Sequence, residues 1–254
     1  MKGVCGKLSF DTELKNGKTI IINPYFTVPF KITRPFYEED EMIVYVMSSS
    51  PGILENDNYS LNFNIGKGSS VHITGQSYTK VFKMENGRAT QEMTAALEEG
   101  ARLKYMPLPV TLYKNSSFIN SSKIYLKKGA ALIYSDILCC GRVAMGEEFL
   151  FRNYRSRVEI YYEDKLVFID NVSIEPEKHK VTGIGGYEGY THQGTLFICR
   201  ENTTSVKDDI YMKLSSVNNI EFGVTEVLKG VLVRVLSKSG EVIKDVFNDI
   251  SEKV

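Results

Sequence analysis

Residues 63–73 read FNIGKGSSVHI, and two later stretches repeat this pattern: residues 95–105 read AALEEGARLKY, and residues 124–134 read IYLKKGAALIY. Each stretch has a glycine at its centre, a small residue directly after the glycine, and an aliphatic residue three positions to either side. The central glycines, which are 32 and 29 residues apart, are Gly68, Gly100 and Gly129. The middle of the chain is therefore an internal repeat.

Each repeat unit predicts a strand, a tight glycine turn and a second strand, with one apolar face. Such a unit cannot bury its apolar face alone and must stack on its neighbours, which favours a β-solenoid. Three ordinary hairpins in a β-sandwich are the alternative, and the pattern leaves it open. The 15 Tyr and 13 Phe of the whole chain also favour strands. We expect a mainly β fold, a β-helix- or solenoid-like stack of many short strands.

Two helices are expected in the C-terminal part. Ser205 and Asp208 form a capping box that would open a helix over residues 206–215. Residues 241–251 carry an apolar stripe at helical spacing, which predicts a helix docked on the β body. A partner-binding surface is the alternative for that stripe. No linker rich in Pro, Gly or Ser divides the chain, so residues 1–254 are expected to form one domain.

Two Asn-Gly pairs predict hairpin turns, because both residues of the pair accept the positive φ of a type I′ turn. These pairs are Asn16-Gly17 and Asn86-Gly87.

Charge balance and the N-terminal residues limit the function classes. Lys plus Arg and Asp plus Glu both number 31, which removes the electrostatic case for nucleic acid or an anionic membrane as a partner. Residues 1–10 lack the apolar core of a secretion signal, and no stretch approaches the roughly 20 apolar residues of a membrane helix. We therefore expect a cytoplasmic protein whose four cysteines are thiols.

Few residue patterns indicate a reaction or a resident metal. The three histidines, none at metal-ligand spacing from another, are His72, His179 and His192. Cys139 is the one candidate nucleophile, since Arg142 nearby would lower its pKa, and a buried structural thiol is the alternative. Neither a Walker A loop nor a G-x-S-x-G elbow is present, and the glycine-rich residues 183–189 predict a flexible turn. The isolated acids beside strand or turn signals are Asp57, Asp136, Glu147 and Asp170.

An ordered set of motifs resembles the urease accessory protein UreD family, called UreH in some organisms. Residues 61–82, LNFNIGKGSSVHITGQSYTKVF, are similar to its strand–turn–strand segment that ends in T-K-x-[FY]. Residues 136–142, DILCCGR, followed by MGE at 145–147, resemble its D-x-x-x-x-G-R…G-E signature. Residues that match these motifs are Gly75, Lys80, Cys139, Gly141, Arg142 and Glu147. The chain departs from the family at Ile53 and Asn56, where glycine is common, and in lacking tryptophan.

The resemblance implies a β-helix-like fold with two helices and a non-enzymatic role in delivering nickel to apo-urease. It implies a hetero-oligomer with a helical accessory protein (UreF), a GTPase (UreG) and apo-urease. It implies no tightly bound cofactor, but nickel in transit through an internal tunnel. Residues that the resemblance places along the tunnel are Asp57, Asp136 and Asp170, with Thr79 as a neutral lining residue.

Isolated carboxylates suit a conduit, because exchanging Ni²⁺ binds carboxylate, imidazole and water. A conducting path needs ligands strong enough to admit the ion and weak enough to release it. Two other classes of function stay open: an enzyme with Cys139 as its nucleophile, and a purely structural β-solenoid that binds a partner.

Overall fold

The fold, seen in a computed structural model that describes residues 3–200 and 204–253, consists of two β-sheets and two helices. In chain order the strands are β1 (Cys5–Lys15), β2 (Lys18–Phe26), β3 (Phe30–Ile32), β4 (Phe36–Glu38), β5 (Glu41–Ser48), β6 (Asn58–Ile65), β7 (Ser70–Gly75), β8 (Thr79–Val81), β9 (Ala89–Leu97), β10 (Arg102–Tyr105), β11 (Val110–Leu112), β12 (Ser117–Leu126), β13 (Ala131–Cys139), β14 (Asn153–Tyr162), β15 (Lys165–Ile174), β16 (His192–Cys199), β17 (Ile220–Val227) and β18 (Gly230–Ser237). The helices are α1 (Thr204–Ser215) and α2 (Gly240–Ser251), and a 3₁₀ turn spans Val143–Met145.

The first sheet has the strand order β15-β14-β12-β9-β6-β1-β2. The second has the order β17-β18-β16-β13-β10-β7-β5-β3, with β4 beside β5 and with β11 between β13 and β8. Strands β6, β9, β12 and β14 pair in parallel, and so do β5, β7, β10 and β13. The chain passes repeatedly from one sheet to the other, as in a β-solenoid. The hairpin alternative is wrong, because the two strands of each repeat unit lie in different sheets.

Residues at equivalent repeat positions lie side by side, as the spacing predicts. Phe63 pairs with Ala95 in the first sheet. Tyr105 pairs with both Ile73 and Tyr134 in the second sheet. The rings of Tyr105 and Tyr134 stack with their centroids 5.8 Å apart. All five side chains are buried between the sheets, where each large one contributes roughly 1.5–3 kcal/mol.

The three glycine turns need a left-handed backbone conformation, which L-residues with a Cβ adopt only at a cost. The φ angles are +68° at Gly68, +66° at Gly100 and +71° at Gly129. Successive turns are joined by hydrogen bonds from the Gly68 N–H to the Glu99 carbonyl (3.1 Å) and from the Gly100 N–H to the Lys128 carbonyl (3.2 Å). The turns therefore stack in register with the strands.

Both helices form where the sequence predicts them. Ser239 caps α2, and Ile243 and Phe247 of that helix are fully buried against the outer face of the second sheet, which confirms the predicted docking. A Cβ on Gly194 of β16 would collide with Ile243, so glycine permits this close approach. The capping box of α1 rests on the Ser205 side chain, which lies outside the described residues.

One of the two predicted hairpin turns is wrong. Asn16 and Gly17 join β1 to β2 with φ angles of +52° and +76°, as predicted. Asn86-Gly87 lies between β8 and β9, which belong to different sheets. There the Glu55 carboxylate accepts hydrogen bonds from the backbone N–H groups of both residues. A dipeptide signal cannot distinguish a hairpin from a loop that crosses between sheets.

We expect Gly100→Ala to lower the free energy of unfolding by about 1 kcal/mol, because its φ is positive and the cost is conformational. No atom lies within 4 Å of a Cβ built at Gly100. Gly223→Ala is the matched control, since its Cβ also meets open space but its backbone does not require glycine. Urea unfolding of both variants checks this, and equal midpoints would contradict it.

Candidate functional site

Asp136 is a carboxylate inside the solenoid. It lies on β13 between Tyr134 and Leu138, which face the core and are 2% and 4% exposed, whereas Asp136 itself is partly accessible. Its Oδ2 accepts hydrogen bonds from Ser156 (3.0 Å) and Tyr154 (3.3 Å) of β14, in the opposite sheet. Burial raises the pKa of Asp136 above its ordinary value, and the two hydroxyl donors only partly oppose this.

Asp170 lies near Asp136, on the inner face of β15. Its Oδ1 accepts a hydrogen bond from Arg234 of β18 at 2.8 Å, so the ion pair joins the two sheets. Asp136, Thr195 and Arg234 occupy one row of the second sheet, according to the register of β13, β16 and β18. The negative charge of Asp170 contributes to the raised pKa of Asp136. The structure thus brings two of the three predicted acids together.

Asp57 is separate from this pair and lies directly before β6, in an earlier coil. It is 3% exposed and accepts hydrogen bonds from the N–H groups of Val4 (2.8 Å) and Leu54 (2.9 Å). The Tyr59 hydroxyl also donates to it, at 2.8 Å, and burial raises the pKa of that hydroxyl. These three donors make Asp57 the anchor of a turn and of the N-terminal segment.

Thr79 lies at a cavity of about 140 Å³ between the sheets and the loops that join them. The Thr79 N–H donates to the Pro109 carbonyl (3.0 Å), and the Lys80 carbonyl accepts from the Ile53 N–H (2.7 Å). Lys80 is therefore held through its backbone, while its side chain is exposed. The residues that line the cavity include Tyr59, Gly75, Thr79, Lys80, Gln91 and Tyr105.

The G-R…G-E motif forms a surface loop that is closed by contacts among its own residues. A Cβ on Gly141 would collide with the Glu147 carbonyl oxygen, so only glycine fits there. The Arg142 guanidinium forms a bidentate pair with the Glu147 carboxylate, with Nε 2.9 Å from Oε2. The same guanidinium lies 4.5 Å from the centre of the Tyr113 ring, and it lowers the pKa of Glu147. The motif residues thus have a structural explanation.

Cys139 does not have the environment of an activated nucleophile. The residue is 5% exposed, its thiol donates to the Gly141 carbonyl at 3.0 Å, and burial raises the pKa of the thiol. The Arg142 guanidinium is paired with the Glu147 carboxylate instead. His192 lies opposite Cys139 in the strand register, but its Nδ1 is engaged with the Thr191 hydroxyl at 2.9 Å. Burial also lowers the pKa of His192, so these contacts do not support a thiolate–imidazolium pair.

Sequence reasoning missed the groups that surround Asp136. Tyr154 and Ser156 alternate with exposed arginines on β14, so a period of two would have placed both on the inner face. The role of Arg234 carries no local signal, because its partner Asp170 is 64 residues away.

Within residues 3–200 and 204–253, no group of three or more His, Cys, Asp and Glu side chains is arranged to hold a metal ion. None of the described helices is long and apolar enough to span a membrane.

The fold and the interior define a β-solenoid with carboxylates between its sheets. The family model described as UreD urease accessory protein matches residues 4–253, and the chain belongs to that family. It is similar to the urease accessory protein UreD of Acetivibrio thermocellus, with 38% identity over 97% of both chains. It is also similar to the urease accessory protein UreH of Helicobacter hepaticus, with 37% identity over 89% of this chain and 88% of that protein.

We expect Asp136→Asn to raise the free energy of unfolding at neutral pH, because it removes a buried charge and keeps an oxygen for Ser156 and Tyr154. The pKa of Asp136 is higher in the folded chain than in the unfolded one. The wild type therefore loses stability relative to the variant as pH rises through the folded pKa, and the gap closes below the ordinary value of 3.8.

Unfolding curves between pH 3 and pH 8 measure this difference. Asp170→Asn is the control, since it leaves Arg234 without its ion partner and should destabilise the protein. A constant difference between wild type and Asp136→Asn across the pH range would contradict the prediction.

We expect a thiol-reactive maleimide to label Cys5 first, because Cys5 is exposed while Cys139, Cys140 and Cys199 are buried thiols with raised pKa values. Mass spectrometry of the labelled peptides gives the order. In the Cys5→Ser variant only slow labelling should remain, and rapid labelling of Cys139 would restore the enzyme hypothesis.

Proposed function

We propose that this protein is a non-enzymatic scaffold for urease maturation. Its membership of the UreD family is the observation that carries this proposal, and its relatives are named as urease accessory proteins. The scaffold acts in the cytoplasm, where it holds apo-urease beside a UreF-like helical protein and a UreG-like GTPase. Nickel, which is cargo here rather than a cofactor, is passed to the urease active site within this assembly.

The interior gives the proposal a chemical basis. The cavity beside Thr79 provides hydroxyl and amide groups at the loops, and Asp136 provides an anionic oxygen deeper between the sheets. A single carboxylate attracts Ni²⁺ without forming the cage that would retain it. Asp170 lies beyond Asp136, where Arg234 balances its charge. We therefore place Asp136 at the centre of the path and Thr79 at one end of it.

A purely structural solenoid that only positions partners is the second candidate. The ion pair of Asp170 and the three donors on Asp57 favour it, because both acids are explained by stability alone. In that case nickel would reach urease without passing Asp136.

Activation of apo-urease by the reconstituted accessory proteins tests both candidates. We expect Asp136→Ala to lower the activation rate roughly tenfold while partner binding, measured by co-purification, is unchanged. The double variant, which carries both Asp57→Ala and Asp136→Ala, should lower the activation rate at least as much as Asp136→Ala alone. The matched control is Glu92→Ala, an exposed acid on the outer face of β9.

The possible results distinguish the maturation role from the nickel path. Full activation without this chain would contradict the maturation role. Unchanged activation by a folded, partner-bound Asp136→Ala variant would remove the nickel path and leave the structural scaffold.

A further inference from the structure

A row of polar side chains crosses the inner face of the first sheet. In the strand register Tyr59 pairs with Gln91, Gln91 with Asn120, and Asn120 with Ser156. Adjacent strands are about 4.8 Å apart, so the row follows the solenoid axis through successive coils. Tyr59, Gln91 and Asn120 each stand nine positions before a repeat glycine. The same repeat that stacks the apolar core thus also stacks these polar groups.

Accessible space lies beside this row. Met93 and Phe118, which face the same interior, are each 1% exposed. Gln91 and Asn120 are partly accessible although they face the same way. Asp136, across the interior, has the same combination of inward position and partial access. Gln91 lines the cavity beside Thr79, and the partial access of Asn120 and Asp136 indicates that space continues past them, although the Oδ1 atom of Asn120 is itself buried.

Asn120 is not explained by packing. Its Oδ1 is buried and has no hydrogen-bond partner among the described residues. An unpaired buried carbonyl of this kind costs about 1–3 kcal/mol, and an aliphatic side chain of similar size would avoid that cost. The amide is therefore a polar group kept in the core at the expense of stability, which is typical of a functional position.

The row connects the two ends of the proposed path. Gln91 lines the cavity that also contains Thr79. Ser156 donates its hydroxyl to Asp136. Asn120 lies between Gln91 and Ser156 and is adjacent to both.

We infer that Asn120, together with Gln91, is a neutral relay for hydrated Ni²⁺ between the Thr79 cavity and Asp136, an inference that rests on the proposed function. Amide oxygens carry no net charge and accept hydrogen bonds from the water around a cation, so they support the ion without retaining it. A carboxylate at this position would add a second anionic ligand one strand from the contact between Ser156 and Asp136, and so would slow release of the ion. An apolar side chain would leave the ion without a group to interact with its hydration water. Asn120 thus sets the rate of transfer.

Two substitutions of Asn120 test the relay in the complete assembly with apo-urease. Asn120→Leu should lower the initial rate of activation by NiCl₂ severalfold, with a melting temperature at or above that of wild type. Asn120→Asp should also lower that rate, with more nickel retained on the purified assembly by elemental analysis. The matched control is Asn62→Leu, the same change at an exposed outer-face position of β6.

The relay and the nickel path fail in distinguishable ways. If Asp136→Ala slows activation but Asn120→Leu and Asn120→Asp do not, the relay is wrong and the path through Asp136 stands. If none of the three variants slows activation, both are wrong. A slow Asn62→Leu would also overturn the relay, because the effect would then not depend on the inner face.

Discussion

In-register stacking of the coils is the constraint on which the rest of this structure depends. Each residue of one coil lies beside its equivalent in the next, because the glycine turns are themselves joined by backbone hydrogen bonds. A slip of one residue would turn every inward side chain outward. The buried apolar rows and the polar row from Tyr59 to Ser156 are therefore two results of one register.

Three aspartates of similar appearance in the sequence occupy three different environments. Asp57 is saturated by three donors, Asp170 is paired with Arg234, and Asp136 is held by two hydroxyls that bind one of its oxygens. Asp136 has a pKa raised by burial and is still partly accessible. The environment, more than the residue type, distinguishes an anchor from a candidate ligand.

The fold was largely predictable because glycine spacing and apolar positions repeat along the chain, and α2 because its apolar stripe is local. The candidate site was less predictable from the sequence. The row that contains Gln91 and Asn120 has a sequence signal, at nine positions before each repeat glycine, but it is visible only once the stacking register is known. The pairing of Asp170 with Arg234 and the three donors on Asp57 depend on contacts between distant segments. The hairpin prediction at Asn86-Gly87 was wrong because the residues of a turn do not determine which sheets the turn connects.

The antiparallel strands at the margins of the solenoid have a consequence for its length. A purely parallel stack could accept further coils at either end, whereas β2 and β15 reverse direction and terminate the first sheet. Seven strands at about 4.8 Å then span roughly 30 Å. The distance between the opposite margins of the first sheet is therefore fixed by the number of coils.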